Sequence, residues 1–201
     1  RQLEARIIEG MDESPAFAAS RGFVELHRMR GVSLRAEDFS FEKWRALGEK
    51  LAAEGFTATT FAAEERAGND PLEKLVELQK RAVEGWHLTD LSGEPDLSDE
   101  RLRQPFSSIV APETVSIMKR GEKYVAYTSA ERRNMLGTAT HPDYRRRGIA
   151  AYLKALNIKM LIDGGTDRFE TSSANPLMLK LNEKLGFKPT GLAEIRLAKH
   201  L

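Results

Sequence analysis

The chain has 201 residues, of which 41% are hydrophobic and 30% are charged. This composition is typical of a globular protein, and no apolar run approaches the roughly 20 residues that a membrane span needs. Its 31 basic and 30 acidic side chains leave a net charge of +1, which gives no global field to attract nucleic acid or anionic lipid. We therefore expect no nucleic-acid or membrane binding, and any anion site must be local.

Cysteine is absent from the sequence, which excludes disulfides, thiolate metal sites and cysteine nucleophiles. The histidines are scattered without the spacing of metal ligands, so we expect no metal. They are His27, His87, His141 and His200. No charged-then-apolar leader follows Arg1. Together with the absence of cysteine, this predicts a cytoplasmic protein.

The first predicted elements are a helix that starts at Ser14-Pro15 and ends at Gly22-Phe23, a strand after it, and a second helix over 41–53. The same signals recur near the carboxyl end, where Asn175-Pro176 starts a helix that ends at Gly186-Phe187.

One interpretation of this echo is an internal repeat whose first copy is mostly missing. Residues 1–35 would then be the tail of an upstream domain, 36–55 a linking helix, and 56–201 the main domain. The alternative is that so short an echo arises by chance.

The main domain opens on a β-prone run over 56–61 and continues with helices over 71–83 and 98–104. Two alternating segments, 114–118 and 123–127, flank a Lys-Arg-Gly-Glu break, which is typical of a hairpin. A third strand is predicted over 134–140, before Pro142.

The carboxyl part begins with a helix over 148–162, because apolar side chains recur there at helical spacing. A strand over 168–171, a helix over 176–185 and two closing strands follow. This order of elements predicts a mixed α/β or α+β fold.

Three consecutive arginines, Arg145, Arg146 and Arg147, immediately precede the helix over 148–162. That end of a helix carries a partial positive charge and exposes unpaired N–H groups, so cations there are unfavourable. No Ser, Thr, Asp or Asn stands just before Gly148 to cap the helix. A bound diphosphate would resolve both conflicts, since it accepts the N–H groups and neutralises the guanidinium groups. The alternative is a solvated basic turn.

The run Arg145-x-x-Gly148-x-Ala150, preceded by a strand and His141-Pro142, resembles the acyl-CoA pyrophosphate signature of the GCN5-related N-acetyltransferases (GNATs). The segment from Asn175-Pro176 to Gly186-Phe187 is similar to the downstream helix of that family. The resemblance covers residues 56–201. It implies an α+β fold with a central, mostly antiparallel, twisted sheet flanked by helices. Residues 1–35 look like the end of another copy, as in tandem members of the family.

The resemblance implies acetyl-CoA as the cofactor and assigns its contacts. Backbone groups of Thr138, Ala139 and Thr140 would bind the pantetheine arm. The pyrophosphate would lie against Arg145, Arg146, Arg147, Gly148, Ile149 and Ala150. Asn175 and Asn182 would lie along the cofactor. From the residues alone, Asn175 is equally a helix cap and Asn182 a solvent-facing helical residue.

The implied activity is transfer of an acetyl group to an amine acceptor, either a small molecule or a peptide. An alkylamine is almost fully protonated at neutral pH, so a base or a water relay is needed. The candidates are Glu170, His141 and Tyr144. Many family members have a tyrosine as general acid where this sequence has Asn182. We expect acceptor specificity to come from residues 71–110.

The departure at Asn182 leaves a second function open, a non-catalytic CoA-binding module that acts as a sensor or binds a partner. Two assemblies are also open. One is a homodimer, and the other is association with a missing N-terminal GNAT-like domain.

Overall fold

The computed structural model describes residues 2–9, 14–83, 98–103, 106 and 111–200. The strands in this part of the chain are β1 (Gln2–Glu9), β2 (Val24–Arg35), β3 (Phe56–Thr60), β4 (Val115–Arg120), β5 (Lys123–Glu131), β6 (Asn134–Thr140), β7 (Arg168–Ser173) and β8 (Lys188–His200). The α-helices are α1 (Ser14–Ser20), α2 (Glu42–Ala53), α3 (Phe61–Arg66), α4 (Pro71–Val83), α5 (Asp99–Arg103), α6 (Ile149–Asp163) and α7 (Pro176–Leu185).

The chain divides into two compact units, which we call the terminal unit and the central unit. The described residues of the terminal unit are 2–9, 14–35 and 170–200, and the central unit holds the rest. Strand β7 begins in the central unit and continues in the terminal unit. The predicted domain boundaries stay a prediction.

The central unit is built on the strand order β6-β5-β4-β3, with each neighbouring pair antiparallel. Adjacent residues of a strand point to opposite faces, and Ile117 and Met118 accordingly lie in different apolar clusters. Ile117 packs in the cluster that contains Leu75 and Leu78 of α4. Met118 packs in the cluster that contains Leu153 of α6. Helices therefore cover both faces of this sheet, and the predicted mixed α/β fold with a mostly antiparallel, helix-flanked sheet is confirmed.

The terminal unit has the strand order β1-β8-β2-β7, and β8 pairs antiparallel with both β1 and β2. Its two helices end in the same way. Gly22 and Gly186 both have a left-handed backbone, with φ of 77° and 99°. The next residue in each case donates its backbone N–H to the carbonyl five residues earlier, Phe23 to Ala18 at 3.1 Å and Phe187 to Asn182 at 3.0 Å. The two Gly-Phe junctions noted in the sequence thus share one cap geometry.

The closing segment differs from the prediction, because one continuous strand, β8, replaces the two expected strands. The Pro-Thr-Gly run at 189–191 suggests a break, but β2 accommodates it through a register shift between Arg30 and Val32. Gly31 makes this possible. A β-carbon there would lie 2.7 Å from Thr190 Oγ1, so only glycine leaves room for the irregular strand.

Two other elements were not predicted. Strand β1 is held by pairing with β8, which lies at the other end of the sequence, so no local pattern indicates it. Helix α3 is a short helix in which Thr60 Oγ1 accepts a hydrogen bond from the Ala63 N–H at 3.2 Å. Phe61, expected to end a strand, begins this helix.

Candidate cofactor site

The predicted anion loop connects β6 to α6 in the central unit. His141 leads into a 3₁₀ turn, Pro142–Tyr144, in which the Tyr144 N–H bonds to the His141 carbonyl at 3.0 Å. The loop then runs to Gly148, after which α6 extends over Ile149–Asp163. The structure therefore joins the strand, the arginine run and the helix start in the predicted order.

The loop backbone is left-handed at two alternate residues, Arg146 with φ 62° and Gly148 with φ 83°. Left-handed residues in a loop can turn neighbouring N–H groups toward one concavity, which is a known anion-binding arrangement. Gly148 is also the N-terminal cap of α6, and no side chain among the described residues caps that end. The first N–H groups of a fifteen-residue helix are thus left for another acceptor.

Gly148 is required by its surroundings as well as by its backbone angle. A β-carbon at this residue would lie 3.0 and 3.1 Å from the two terminal carbons of Leu47, on α2. Any other residue would crowd Leu47 and adopt a strained backbone conformation. The glycine lets the helix start lie directly on α2.

The three arginines have different roles. The Arg145 side chain is half-buried and donates from Nε to the Thr140 carbonyl at 3.2 Å and from Nη2 to the Ala82 carbonyl at 2.6 Å. It therefore ties the loop to the end of β6 and to the end of α4. Arg146 is exposed. Arg147 is also exposed, and its Nη1 lies 3.7 Å from Glu54 Oε2. The charges best placed for a solvent-side anion are those of Arg146 and Arg147.

The rings of His141 and Tyr144 pack together at the loop end of β6, 5.5 Å apart between centroids. His141 is buried, and its Nδ1 accepts a hydrogen bond from the Asp143 N–H at 3.3 Å, which leaves the proton of a neutral ring on Nε2. Burial and the nearby Lys123 charge lower the pKa of His141, against the opposing effect of Asp143. The imidazole is therefore neutral at neutral pH. Tyr144 also packs edge-on against Phe56.

A cleft of about 420 Å³ lies beside His141, between α4 and the turn that joins β4 to β5. Its lining includes acidic and basic side chains of α4, and both of the glutamates among them are paired with arginines. Glu77 Oε1 accepts from Arg81 Nε at 3.2 Å, and Glu73 Oε2 accepts from Arg103 Nη2 at 2.6 Å. These two pairs compensate the acidic charge that α4 brings to the cleft, whose lining also includes Lys74, Glu122 and Lys123.

A β-bulge interrupts β6 before the residues predicted to bind pantetheine. Thr128 of β5 lies opposite Thr138, and Ala130 lies opposite Met135. Ser129 alone therefore faces both Leu136 and Gly137. Bulges leave a residue outside the ladder of hydrogen bonds and are frequent beside active sites. Sequence reasoning missed this feature, and Gly137 inside a strand pattern was the available signal.

The three predicted pantetheine residues follow the bulge on the same strand. The hydroxyls of Thr138 and Thr128 are 2.9 Å apart, and Ala139 is buried opposite Tyr127. The Thr140 carbonyl accepts the hydrogen bond from Arg145. The structure thus brings the bulge, these residues and the anion loop onto one strand and its continuation.

The chain superposes on solved structures over nearly its whole length. A GCN5-related N-acetyltransferase from Sphaerobacter thermophilus superposes with a TM-score of 0.66 at 16% identity, over 98% of this chain and 59% of that one. One from Kribbella flavida gives 0.62 at 17% identity, over 99% and 68%. A tandem GNAT protein from the clavulanic acid biosynthesis pathway gives 0.64 at 17% identity, over 98% and 63%. The chain has the GNAT fold.

The chain spans about three fifths of the length of two of these GNAT structures. No protein-family model matches the sequence, and no curated protein is similar to it at a significant level. The likeness is therefore one of fold.

The remaining predicted site residues, Glu170, Asn175 and Asn182, belong to the terminal unit. Glu170 is exposed on β7. Asn175 caps α7, since its Oδ1 accepts from the Leu177 N–H at 2.9 Å, and its interpretation as a helix cap is confirmed. Asn182 is 0% exposed. The interpretation of Asn182 as a solvent-facing helical residue is therefore wrong, because the last turn of α7 packs that face inward.

Within the described residues of this GNAT fold, no helix is both long and apolar enough to cross a membrane. The same residues contain no cluster of three or more histidine, aspartate or glutamate side chains that could hold a metal ion. Of the predicted specificity region, residues 84–97, 104–105 and 107–110 lie outside the described part of the chain.

Proposed function

We propose that this chain is an N-acetyltransferase that uses acetyl-CoA and an amine acceptor. The observation that carries the proposal is the loop at Arg146 and Gly148, left-handed at both residues and placed at an uncapped helix start. The fold supports it, because the loop occurs in a GNAT-like framework.

The loop fits a diphosphate on three counts. The left-handed residues can turn loop N–H groups toward a bound anion, the dipole of α6 adds positive potential at the helix start, and the exposed Arg146 and Arg147 supply charge. The same residues would hold the pyrophosphate of CoA, together with Ile149 and Ala150. Arg145 would support the loop and add positive charge without touching the phosphates through its hydrogen-bonded nitrogens, because its guanidinium donates to the carbonyls of Thr140 and Ala82.

Strand β6 leads away from this loop toward the bulge, and it sets the direction of the pantetheine arm. Backbone groups of Thr138, Ala139 and Thr140 would bond the arm, and the bulge at Leu136 and Gly137 would face the acyl group. When bound, acetyl-CoA supplies a thioester whose carbonyl carbon bonds to the amine nitrogen as the C–S bond breaks, while the sulfur takes up the proton that the amine loses. Because the Gly137 N–H already donates to Ser129 Oγ at 3.2 Å, the bulge N–H that would stabilise the negative charge on the carbonyl oxygen is that of Leu136.

Among the candidate bases, His141 and Tyr144 lie at the loop end of β6 and pack against each other. Several strand residues separate them from the bulge, so their position suits the pyrophosphate end better than the acyl end. Glu170 remains a candidate base. A small-molecule or peptide amine as acceptor, a cytoplasmic location, and assembly as a homodimer or with a further GNAT-like domain remain parts of this proposal.

The cofactor can be tested without knowing the acceptor. At a hundredfold excess over its dissociation constant, acetyl-CoA should raise the free energy of unfolding by about 2.7 kcal/mol. Gly148→Glu should abolish this effect. Gly68→Glu is a matched control, because Gly68 also has a left-handed backbone, with φ 75°, but faces open space at the end of α3. No stabilisation of the wild-type protein at millimolar acetyl-CoA would refute the proposal.

The second candidate function is a CoA-binding module without transfer activity, and Asn182 in the place of a tyrosine favours it. Release of free thiol from acetyl-CoA in the presence of polyamines, amino acids, aminoglycosides and peptides separates the two. Turnover above background with any amine would exclude the pure binding module.

A further inference from the structure

We propose that Tyr127 is a positioning residue for acyl transfer, whose hydroxyl, fixed by Gln79, holds the Gly137 bulge in the shape that presents its backbone to the acyl carbonyl. This inference rests on the proposed function. It concerns a tyrosine of β5 to which neither the sequence pattern nor the fold comparison assigns a role.

The Tyr127 side chain lies beside the bulged Gly137. A β-carbon at Gly137 would lie 3.1 Å from the Tyr127 hydroxyl oxygen and 3.2 Å from its ring carbon Cε2. The phenol thus occupies the space that a side chain at residue 137 would need. On the same strand, Ser129 Oγ accepts a hydrogen bond from the Gly137 N–H at 3.2 Å. Tyr127 and Ser129 together fix the bulged glycine from one side.

Tyr127 is itself held rigidly. Its hydroxyl donates to Gln79 Oε1, on α4, at 2.9 Å, and its ring packs edge-on against Phe106 with centroids 5.2 Å apart. The side chain is buried, and burial raises the pKa of the hydroxyl. The phenol therefore stays protonated and keeps its bond to Gln79. A rigid support of this kind is what a backbone group needs in order to point at a developing charge.

Tyr124 shows what a buried tyrosine of β5 does without contact to the bulge. Its hydroxyl donates to Glu64 Oε2 at 2.8 Å, in a polar cluster with Lys119. Burial and hydrogen bonding to Glu64 raise the pKa of this hydroxyl too. The two tyrosines therefore share strand β5, burial and a hydroxyl that donates one hydrogen bond, to a carboxylate at Tyr124 and to an amide oxygen at Tyr127. They differ in that Tyr127 lies beside Gly137. Tyr124→Phe is the control for Tyr127→Phe.

The shape of the bulge should affect the rate of acyl transfer, because the bulge would face the acyl carbonyl. Because Asn182 stands where a proton-donating tyrosine is expected, polarisation of the carbonyl must supply more of the rate than it does in members with that tyrosine. A misplacement of about 1 Å at a reacting centre can cost a hundredfold in rate. Loss of the Tyr127 hydroxyl should therefore act on the chemical step and leave the distant pyrophosphate loop unchanged.

The test uses the infrared carbonyl stretch of isotope-labelled acetyl-CoA bound to the full chain, together with calorimetric affinity and thiol release. We expect the bound carbonyl to absorb at lower frequency than free acetyl-CoA in the wild type. Tyr127→Phe and Gln79→Leu should return this frequency toward the free value and lower kcat roughly tenfold to a hundredfold. The affinity for CoA should change less than about twofold, and Tyr124→Phe should leave both readouts unchanged.

An unshifted carbonyl frequency in the wild type would overturn the inference. Equal effects of Tyr127→Phe and Tyr124→Phe, or a loss of CoA affinity parallel to the loss of kcat, would also overturn it, because either result indicates a purely structural role. If the wild-type protein binds no CoA, the proposed function is wrong. This result differs from those that overturn the role of Tyr127, so the two failures are distinguishable.

Discussion

Gly148 lies so close to Leu47 that a β-carbon on the glycine would be 3.0 Å from the Leu47 side chain. Gly148→Ala should therefore destabilise the protein through both this contact and its left-handed backbone, which alone costs a non-glycine residue about 1–2 kcal/mol. Affinity for CoA should fall as the helix start shifts. In the Gly148→Ala, Leu47→Ala double variant, the steric part should be relieved and the backbone part should remain. Urea denaturation measures the stability of each variant, and calorimetry measures its affinity for CoA. If the two substitutions change the free energy of unfolding strictly additively, Leu47 is not the obstacle to a side chain at residue 148.

Arg145 and Arg147 should separate into a structural and a binding arginine. Arg145→Ala leaves the carbonyls of Thr140 and Ala82 without their charged donor, so the free energy of unfolding should fall by about 1.5–3 kcal/mol. Arg147→Ala removes an exposed ion pair with Glu54 and should cost less than about 1 kcal/mol. For Arg147→Ala, the loss of free energy of CoA binding should exceed the loss of free energy of unfolding. The reverse ranking in denaturation would contradict this assignment.

Lys154 should make stability rise with pH on the alkaline side. Burial lowers its pKa from the ordinary 10.5 to about 8 in the folded protein. Between about pH 8 and 10 the unfolded chain binds more protons than the native one, so stability increases with pH through this window. Below pH 8 both states are charged, and the cost of burial, about 3 kcal/mol, is fully present. Lys154→Met should remove the rise, whereas Lys159→Met, at an exposed position of the same helix, should keep it. Parallel denaturation curves for wild type and Lys154→Met across this window would disprove the account.

Glu64 should contribute stability that is lost in acid. Burial alone raises its pKa, but hydrogen bonds from Tyr124 and Lys119, with the Lys119 charge, hold it below the ordinary 4.5. A group with a lowered folded pKa stabilises the protein above about pH 4.5, and this contribution disappears as pH falls through the folded value. Glu64→Gln should flatten that acid-side loss, while Glu65→Gln, at an exposed neighbour, should not. Stability at pH 3–7 is the measurement.

Lys119→Met tests the same cluster by removing the cation that is paired with Glu64. It leaves a nearly buried carboxylate without its cation and should cost about 3 kcal/mol at neutral pH. The loss should shrink on acidification, when Glu64 becomes protonated. A loss that is independent of pH would show that packing of the lysine stem, not its charge, is what matters.

Much of the central unit could be predicted from the sequence because its signals are local. The apolar spacing from Ile149 onward and the glycines after α6 indicate that helix within a few residues. The hairpin over β4 and β5 follows from alternation around a short turn. By contrast, β1 and the unbroken β8 depend on each other across the length of the chain, and no window of sequence contains both.

The candidate site shows the same division. A run of arginines before a glycine-started helix is a local conflict with helix electrostatics, and the sequence alone therefore predicted an anion loop there. Only the tertiary structure decided that Arg145 turns inward to the Ala82 carbonyl, sixty-three positions earlier in the chain. It alone placed the bulge at Gly137 under Tyr127 and buried Asn182. The physical reason is that helix starts and caps are set by neighbours along the chain, whereas strand register, burial and side-chain direction are set by partners that the fold brings together.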